Sequence, residues 1–356
     1  MLIVGVVALV VVIFSAVLFF QRQIGDAMFK HGVSAIAGVD RAVDLPDGLH
    51  VFVCGSGSPM PDPNRAGPCL GVIAGERAFV FDIGSGGARR LARMGFPIGR
   101  LERVYLTHLH SDHFDGLGEL LLQAWVGGPR TIPLPVSGPV GVDEVVAGLN
   151  TAYRIDAGFR TAHHGADIAN PTGFGGRAEA ITAPSPSEPT RVILEEGGLK
   201  VTAVLVDHAP ASPAFGFRID YKDRSLAISG DTKESATLVE ASKGVDILFH
   251  EALNVEMVQA VGSATQSRGQ KHIAQIMTDI QDYHATPEQA ARTASAANAG
   301  HLVFYHIVPP LPSPFFDAAY LGDAPSLFKG HLTVAQDGLL ISAPANATTV
   351  QFQMIQ

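Results

Sequence analysis

Charge is scarce in this chain of 356 residues: only 17% of positions are Asp, Glu, Lys or Arg, and the formal net charge is −9. No run of Lys or Arg occurs anywhere. Holding nucleic acid by bulk electrostatics needs many cations facing phosphates, and this chain is not built for that; a local basic patch stays open, without a Lys/Arg run to support it. Cysteine is scarcer still, with only Cys54 and Cys69. They flank one short loop, Gly55 to Pro68. Two states are therefore open: a disulfide between adjacent strands, which needs an oxidising compartment, or two buried free thiols. No internal repeat in residue identity is visible. Apolar residues, by contrast, make up 47% of the chain. That is ample for one large α/β domain with insertions.

The longest uncharged run lies at the start. Leu2 to Phe20 is apolar apart from Gly5 and Ser15, long enough to cross a bilayer as a helix. A core helix is rarely apolar on every face. The bulky Phe19-Phe20-Gln21-Arg22 stretch offers no small-x-small cleavage site for a signal peptide. We therefore expect a membrane anchor over residues 1–21, or an uncleaved signal, and a stalk over 22–48. A hydrolase domain is expected over 49–342 and a tail over 343–356. Arg22 and Lys30, after the span, favour a cytoplasmic domain by the positive-inside rule. A Cys54–Cys69 disulfide favours a periplasmic or other extracytoplasmic one, and that location is the expectation carried forward.

Strands are expected at Leu49–Cys54, Cys69–Ala74, Ala78–Asp82 and Glu102–Leu106, and helices through Met94 and over Leu117–Trp125. Residues 127–190 have a different texture and are expected to be a loop-rich insertion with one helical piece near Asp143–Asn150. Strands resume at Arg191–Glu195, Leu199–Val206, Ala214–Asp220, Ser225–Ile228, Val245–Phe249 and His301–Tyr305. Helices are expected near Glu234–Ser242 and over Ile273–Tyr283. Another opens at Thr286-Pro287-Glu288-Gln289, a capping-box pattern with proline at the first position. A hairpin near Leu332–Ala335 and Gly338–Ile341 is expected to close the chain. This alternation of short strands and helices predicts a layered α/β sandwich.

The densest chemistry is Thr107-His108-Leu109-His110-Ser111-Asp112-His113, with three histidines and a carboxylate within six positions. Imidazole nitrogen and carboxylate oxygen are ligands for zinc and similar ions, and poor core material. Further polar groups stand at the ends of apolar strands: Asp82, His208, Asp231, His250-Glu251 and His306. Taken singly, each reads as a hydrogen-bonded strand end. Together with H-x-H-x-D-H they suggest two half-sites meeting at one edge. His163-His164, inside the insertion, reads as surface or pocket wall.

This order of motifs resembles the metallo-β-lactamase superfamily, and within it the ribonuclease Z-like phosphodiesterase branch. Gly55-Ser-Gly-Ser58, His250-Glu251-Ala252 and Tyr283-His284-Ala-Thr-Pro-Glu-Gln-Ala290 resemble that branch's further motifs. The resemblance implies a four-layered αββα fold and two divalent metal ions, zinc first, with manganese or iron(II) as alternatives. It places His108, His110 and His208 on one ion and Asp112, His113 and His306 on the other, with Asp231 bridging. Asp82 would orient a ligand histidine, and His250 would stand behind the ligands. Catalysis would use a hydroxide between the metals, Asp112, and His284 as general acid held by Glu251. The resemblance also fits a dimer. Precursor tRNA suits the branch, but the acidic charge and the anchor point to a small phosphodiester or related ester. Arylsulfate, β-lactam or lactone hydrolysis on the same site is the alternative, and an anchored non-catalytic binding module is the alternative of another class.

Overall fold

A computed structural model describes residues 2–355. Two sheets stack face to face, and the chain builds them in turn. The first takes β1 (Gly48–Gly55), β2 (Cys69–Ala74), β3 (Arg77–Ile83), β4 (Arg103–Tyr105), β5 (Leu134–Gly138) and β6 (Gly176–Ala180). The second takes β7 (Thr190–Glu196), β8 (Leu199–Val206), β9 (Ala214–Tyr221), β10 (Arg224–Ile228), β11 (Ile247–Leu253), β12 (His301–Val308) and β13 (His331–Val334). The chain then returns to the first sheet with β14 (Leu339–Pro344) and β15 (Gln351–Met354), which extend it beyond β1. In both sheets an antiparallel meander runs into parallel strands: β1–β3 into β4–β6, and β7–β10 into β11–β13.

The inner faces share an aromatic core. Phe81 stacks on Tyr105 with centroids 5.0 Å apart and meets Phe217 of the other sheet at 5.3 Å. Burying such a side chain contributes roughly 1.5–3 kcal/mol. The outer face of the first sheet is covered by α3 (Gly87–Arg93) and α4 (Leu117–Val126), through Leu91, Leu117 and Leu120. The outer face of the second is covered by the alanines of a helix at Pro287–Ala296, whose small side chains let it lie close. The two sheets and these flanking helices give the expected helix–sheet–sheet–helix layering.

Several expectations need correction. Among the described residues no single helix is long and apolar enough to cross a membrane. The first helix, α1, has 18 residues (Leu2–Phe19), and α2 follows (Gln21–Ile36). Only the pair Ile3–Phe19 and Gln21–Ser34, bent by 70°, passes jointly by length and composition. The single anchor helix expected over 1–21 is thus not supported, and much of the expected stalk is helical. Residues 127–190 are not chiefly loop: they supply β5, β6 and a 23-residue helix, α5 (Val142–His164). That helix buries only Val142, Val146 and Ala157, so its apolar periodicity is faint in sequence. The expected closing hairpin does not form. β13 pairs with β12, whereas β14 pairs with β1 in the other sheet. The expected tail contains β15, an edge strand against β14.

The loop between β1 and β2 is tied down at three places. Cys54 and Cys69 form a disulfide with Cα atoms 5.0 Å apart, which resolves the two open states of the cysteines. From the far end of the chain, Asp337 accepts hydrogen bonds from Ser56 N (2.9 Å), Ser56 Oγ (2.9 Å) and Ala66 N (2.7 Å).

Candidate metal centre and active site

All the expected donors sit at strand ends on one edge of the sandwich. β4 delivers Thr107 and the turn Ser111–His113. The turn passes so close to the end of β3 that a Cβ at Gly84 would lie 2.4 Å from the Asp112 carbonyl oxygen, so only glycine fits there. β8 ends before His208, β10 before Asp231, and β12 carries His306. Asp82 and His306 both hold left-handed backbone, with φ of 52° and 46°. That conformation is unfavourable for residues with a Cβ and clusters where geometry is set by function.

The donor atoms form two groups. His110 Nδ1 lies 2.9 Å from His108 Nε2 and 3.2 Å from His208 Nε2. Asp112 Oδ2 lies 3.2 Å from His306 Nε2 and 3.5 Å from His113 Nε2. Between them stands Asp231. Its Oδ2 is 3.2 Å from His306 Nε2 and 3.3 Å from His113 Nε2, and 3.9 Å from Nε2 of both His108 and His208. One carboxylate oxygen therefore reaches both triads.

The supports are equally specific. Asp82 Oδ2 accepts from His113 Nδ1 at 2.8 Å, which leaves Nε2 aimed at Asp231. Its other oxygen accepts from Thr107 N at 2.8 Å. His208 donates through Nδ1 to the Tyr283 carbonyl, 3.0 Å away. Glu251 is fully buried on β11, and its Oε1 accepts from His284 Nδ1 (3.1 Å), Ala285 N (3.0 Å) and Thr232 N (3.2 Å). His284 is placed by the helix that follows it, Pro287–Ala296. There Thr286 Oγ1 accepts from Gln289 N and Gln289 Oε1 accepts from Thr286 N, the capping box read in the sequence.

Three histidines noted in the sequence stand apart from the donor groups. His250 is buried and donates Nδ1 to the Glu251 carbonyl at 2.7 Å, but joins none of the donor groups. His163 and His164 end α5 on the surface. Sequence reasoning missed Thr107, which contacts Asp82, His108 and His113 through one hydroxyl. Its position directly before H-x-H was the available signal. It also missed Tyr283, whose carbonyl orients His208.

Comparison with known proteins agrees with this geometry. Residues 80–307 match the model of the beta-lactamase superfamily domain. The ribonuclease Z of Mycobacterium avium (strain 104) is 38% identical over 265 residues, 74% of this chain and 87% of that protein. The ribonuclease Z of Mycobacterium bovis (strain BCG / Pasteur 1173P2) is 35% identical over 291 residues, 81% of this chain and 96% of that protein. Human tRNase Z, short form, superposes with a TM-score of 0.58 at 22% identity, over 83% of this chain and 99% of that one. A diphosphatase of the PhnP family superposes with a TM-score of 0.54 at 18% identity, over 83% and 98%. The chain belongs to the metallo-β-lactamase superfamily, in its ribonuclease Z-like branch.

A member of this superfamily is a metal-dependent hydrolase, and the residues present fit divalent ions. Each of the groups His108–His110–His208, His108–His113–Asp231 and Asp112–His113–His306 brings its ligand atoms within 4.8 Å of one another. Asp231 Oδ1 is buried without any protein partner, an arrangement that a cation accounts for. Electrostatics point the same way. Burial opposes the charge of Asp231, yet His306 and His113 hold it well below the usual carboxylate range. Burial, reinforced by the nearby His113, keeps His108 well below the usual histidine range, hence neutral and able to ligate. At His284 burial works against the charge, but Glu251 outweighs it and raises the imidazole to about 9.

Proposed function

We propose that the protein hydrolyses phosphodiesters, with zinc as its metal, His284 as the general acid and Glu251 as its positioning carboxylate. One observation carries this reading: His284, held by the buried Glu251, lines the same cavity as the metal donors. Two divalent ions in such a centre supply Lewis acidity, lowering the pKa of bound water and neutralising charge on a phosphoryl oxygen.

The residues supply the rest. His108, His110 and His208 would hold one ion, and Asp112, His113 and His306 the other, with Asp231 placed to serve both. His284 spends Nδ1 on Glu251, so Nε2 is the nitrogen left for substrate. Water adds to phosphorus and the bond from phosphorus to the leaving oxygen breaks. His284 gives that oxygen its proton, and the products are an alcohol and a phosphomonoester. Asp112 takes the proton from the attacking water; its side chain is 12% exposed, against 3% for Asp231. A leaving alkoxide needs this acid, whereas a β-lactam does not.

RNA is the second reading, favoured by the 38% identity to a ribonuclease Z. The net charge of −9 favours a small diester instead. The Cys54–Cys69 disulfide supports an oxidising, extracytoplasmic location. Thiol alkylation of freshly isolated protein tests that location: alkylation without prior reduction would refute it. The function is tested with metal-replete full-length protein and bis(p-nitrophenyl) phosphate. We expect about two zinc ions per chain, the complement of a two-metal hydrolase, and turnover abolished by chelation and restored by zinc. Turnover indifferent to chelation would refute the mechanism.

A further inference from the structure

We infer that the cavity over the metal donors takes a phosphodiester carrying an aliphatic group, which lies between the helix Lys271–Asp279 and the loop Pro59-Met60-Pro61. This names the substrate class of the site and rests on the phosphodiesterase reading above.

The cavity measures about 300 Å³, the size of a small-molecule site. Its floor is polar: His110, Asp112, Asp231, His284 and His306. Its walls are not. One wall is Ile273, Ile276, Met277 and Ile280, spaced 0, 3, 4 and 7, which places them on one helical face. Met277 is consumed by the core, where it packs with Leu253, Val258 and Val308. Ile273 and Ile276 are not: they remain 42% and 52% exposed although both line the cavity. The opposite wall is the Pro59–Pro61 stretch, in a loop whose two ends are tied by the disulfide and by Asp337 and whose Met60 packs on the Met277 cluster.

The occupant follows from what the walls offer and omit. No Lys or Arg lines the cavity. The phosphates of an RNA strand on either side of the scissile bond would meet isoleucine, proline and methionine rather than cations. Bases bind by stacking on aromatic rings, and among the wall residues only Tyr283 has a non-ligand ring. An alkyl chain suits branched aliphatic walls and needs neither cation nor ring. The face is continuous with the donor atoms, which makes a ligand of the centre its occupant. The diester is anchored by its phosphate at the polar floor, and its alkyl group displaces water from the isoleucines.

The test is a chain-length series on metal-loaded full-length protein: p-nitrophenyl methyl, butyl and octyl phosphate for turnover, and dimethyl against dibutyl phosphate for binding by calorimetry. A fully buried methylene is worth about fourfold, and in a cavity open on one side we expect about tenfold from methyl to butyl in kcat/KM, carried by KM. Binding should show the same preference. The double variant I273S/I276S, at exposed positions, should bring the butyl-to-methyl ratio close to one, whereas I276L should keep it. A flat series in kcat/KM and in binding overturns the aliphatic subsite even if the methyl diester is turned over. Chain-length-dependent binding without turnover of any diester upholds the subsite and overturns the phosphodiesterase reading. If I273S/I276S converts a dimer to a monomer in sedimentation and leaves the series unchanged, the face belongs to a second copy and the inference falls.

Discussion

The two halves of the centre are built in opposite ways. The first sheet supplies His108, His110, Asp112 and His113 from one turn after β4, with neighbours in sequence that are neighbours in space. The second supplies His208, Asp231 and His306 from three strands, with 97 residues between the first and last. A turn can place four donors by local backbone geometry. Three strand ends can do so only when β8, β10 and β12 sit in one sheet at the right register. The contiguous half is therefore a local property, and the dispersed half is a property of the fold.

The largest test of this contrast lies where the halves meet. Asp231→Ala removes the oxygen that reaches both triads, and we expect loss of both metals and a fall in kcat/KM of about 10⁴ or more, read by metal analysis and kinetics. If one metal remained tightly bound, the halves would be independent. Next, His284→Ala should cost about 10²–10³ with an alkyl leaving group and under about tenfold with nitrophenolate, which departs without a proton. Equal losses would remove His284 from the chemistry. The same residue sets a pH limb. Its acid form is the reactive one and the imidazole is raised to about 9, so alkyl-diester turnover should fall as pH rises through that region. Neighbouring metal cations shift the limb lower, and His284→Ala should abolish it.

A smaller effect is expected in the contiguous half. Asp82→Asn keeps the shape but weakens the grip on His113 Nδ1, and should lower metal affinity by about 10–100-fold, measured by competition with a chelator. Smallest is Thr286→Ala beside the dispersed half. Losing this cap should cost about 1 kcal/mol, which thermal denaturation would register as roughly 1–2 °C in a protein of this size. A larger loss of activity than of stability would show that the cap also places His284.

This contrast explains what could be read before the structure was known. H-x-H-x-D-H announces a metal from spacing alone. His208, Asp231 and His306 each read singly as an ordinary strand end; their recurrence alongside H-x-H-x-D-H suggested a second half-site, and the family resemblance assigned them to particular metals. The sandwich was legible because β1–β3 and β8–β12 are strongly apolar. α5 was mostly missed because it buries three residues in 23. The closing strands misled because two nearby apolar segments look like a hairpin, whereas β13 pairs with the preceding β12 and β14 with β1, at the other end of the domain. The isoleucines of the cavity wall left no mark at all, since an amphipathic helix facing a ligand looks the same as one facing a core.

Asp337 lies well past the last metal donor, His306, yet it grips the loop that forms one wall of the cavity. During synthesis the last donor is made 31 positions before the residue that secures that wall. Replacing Asp337 alone would leave the whole ligand set and the pairing of β14 with β1 in place and still loosen the mouth. Asp337→Ala should thus yield a protein whose metals bind more readily than its substrate.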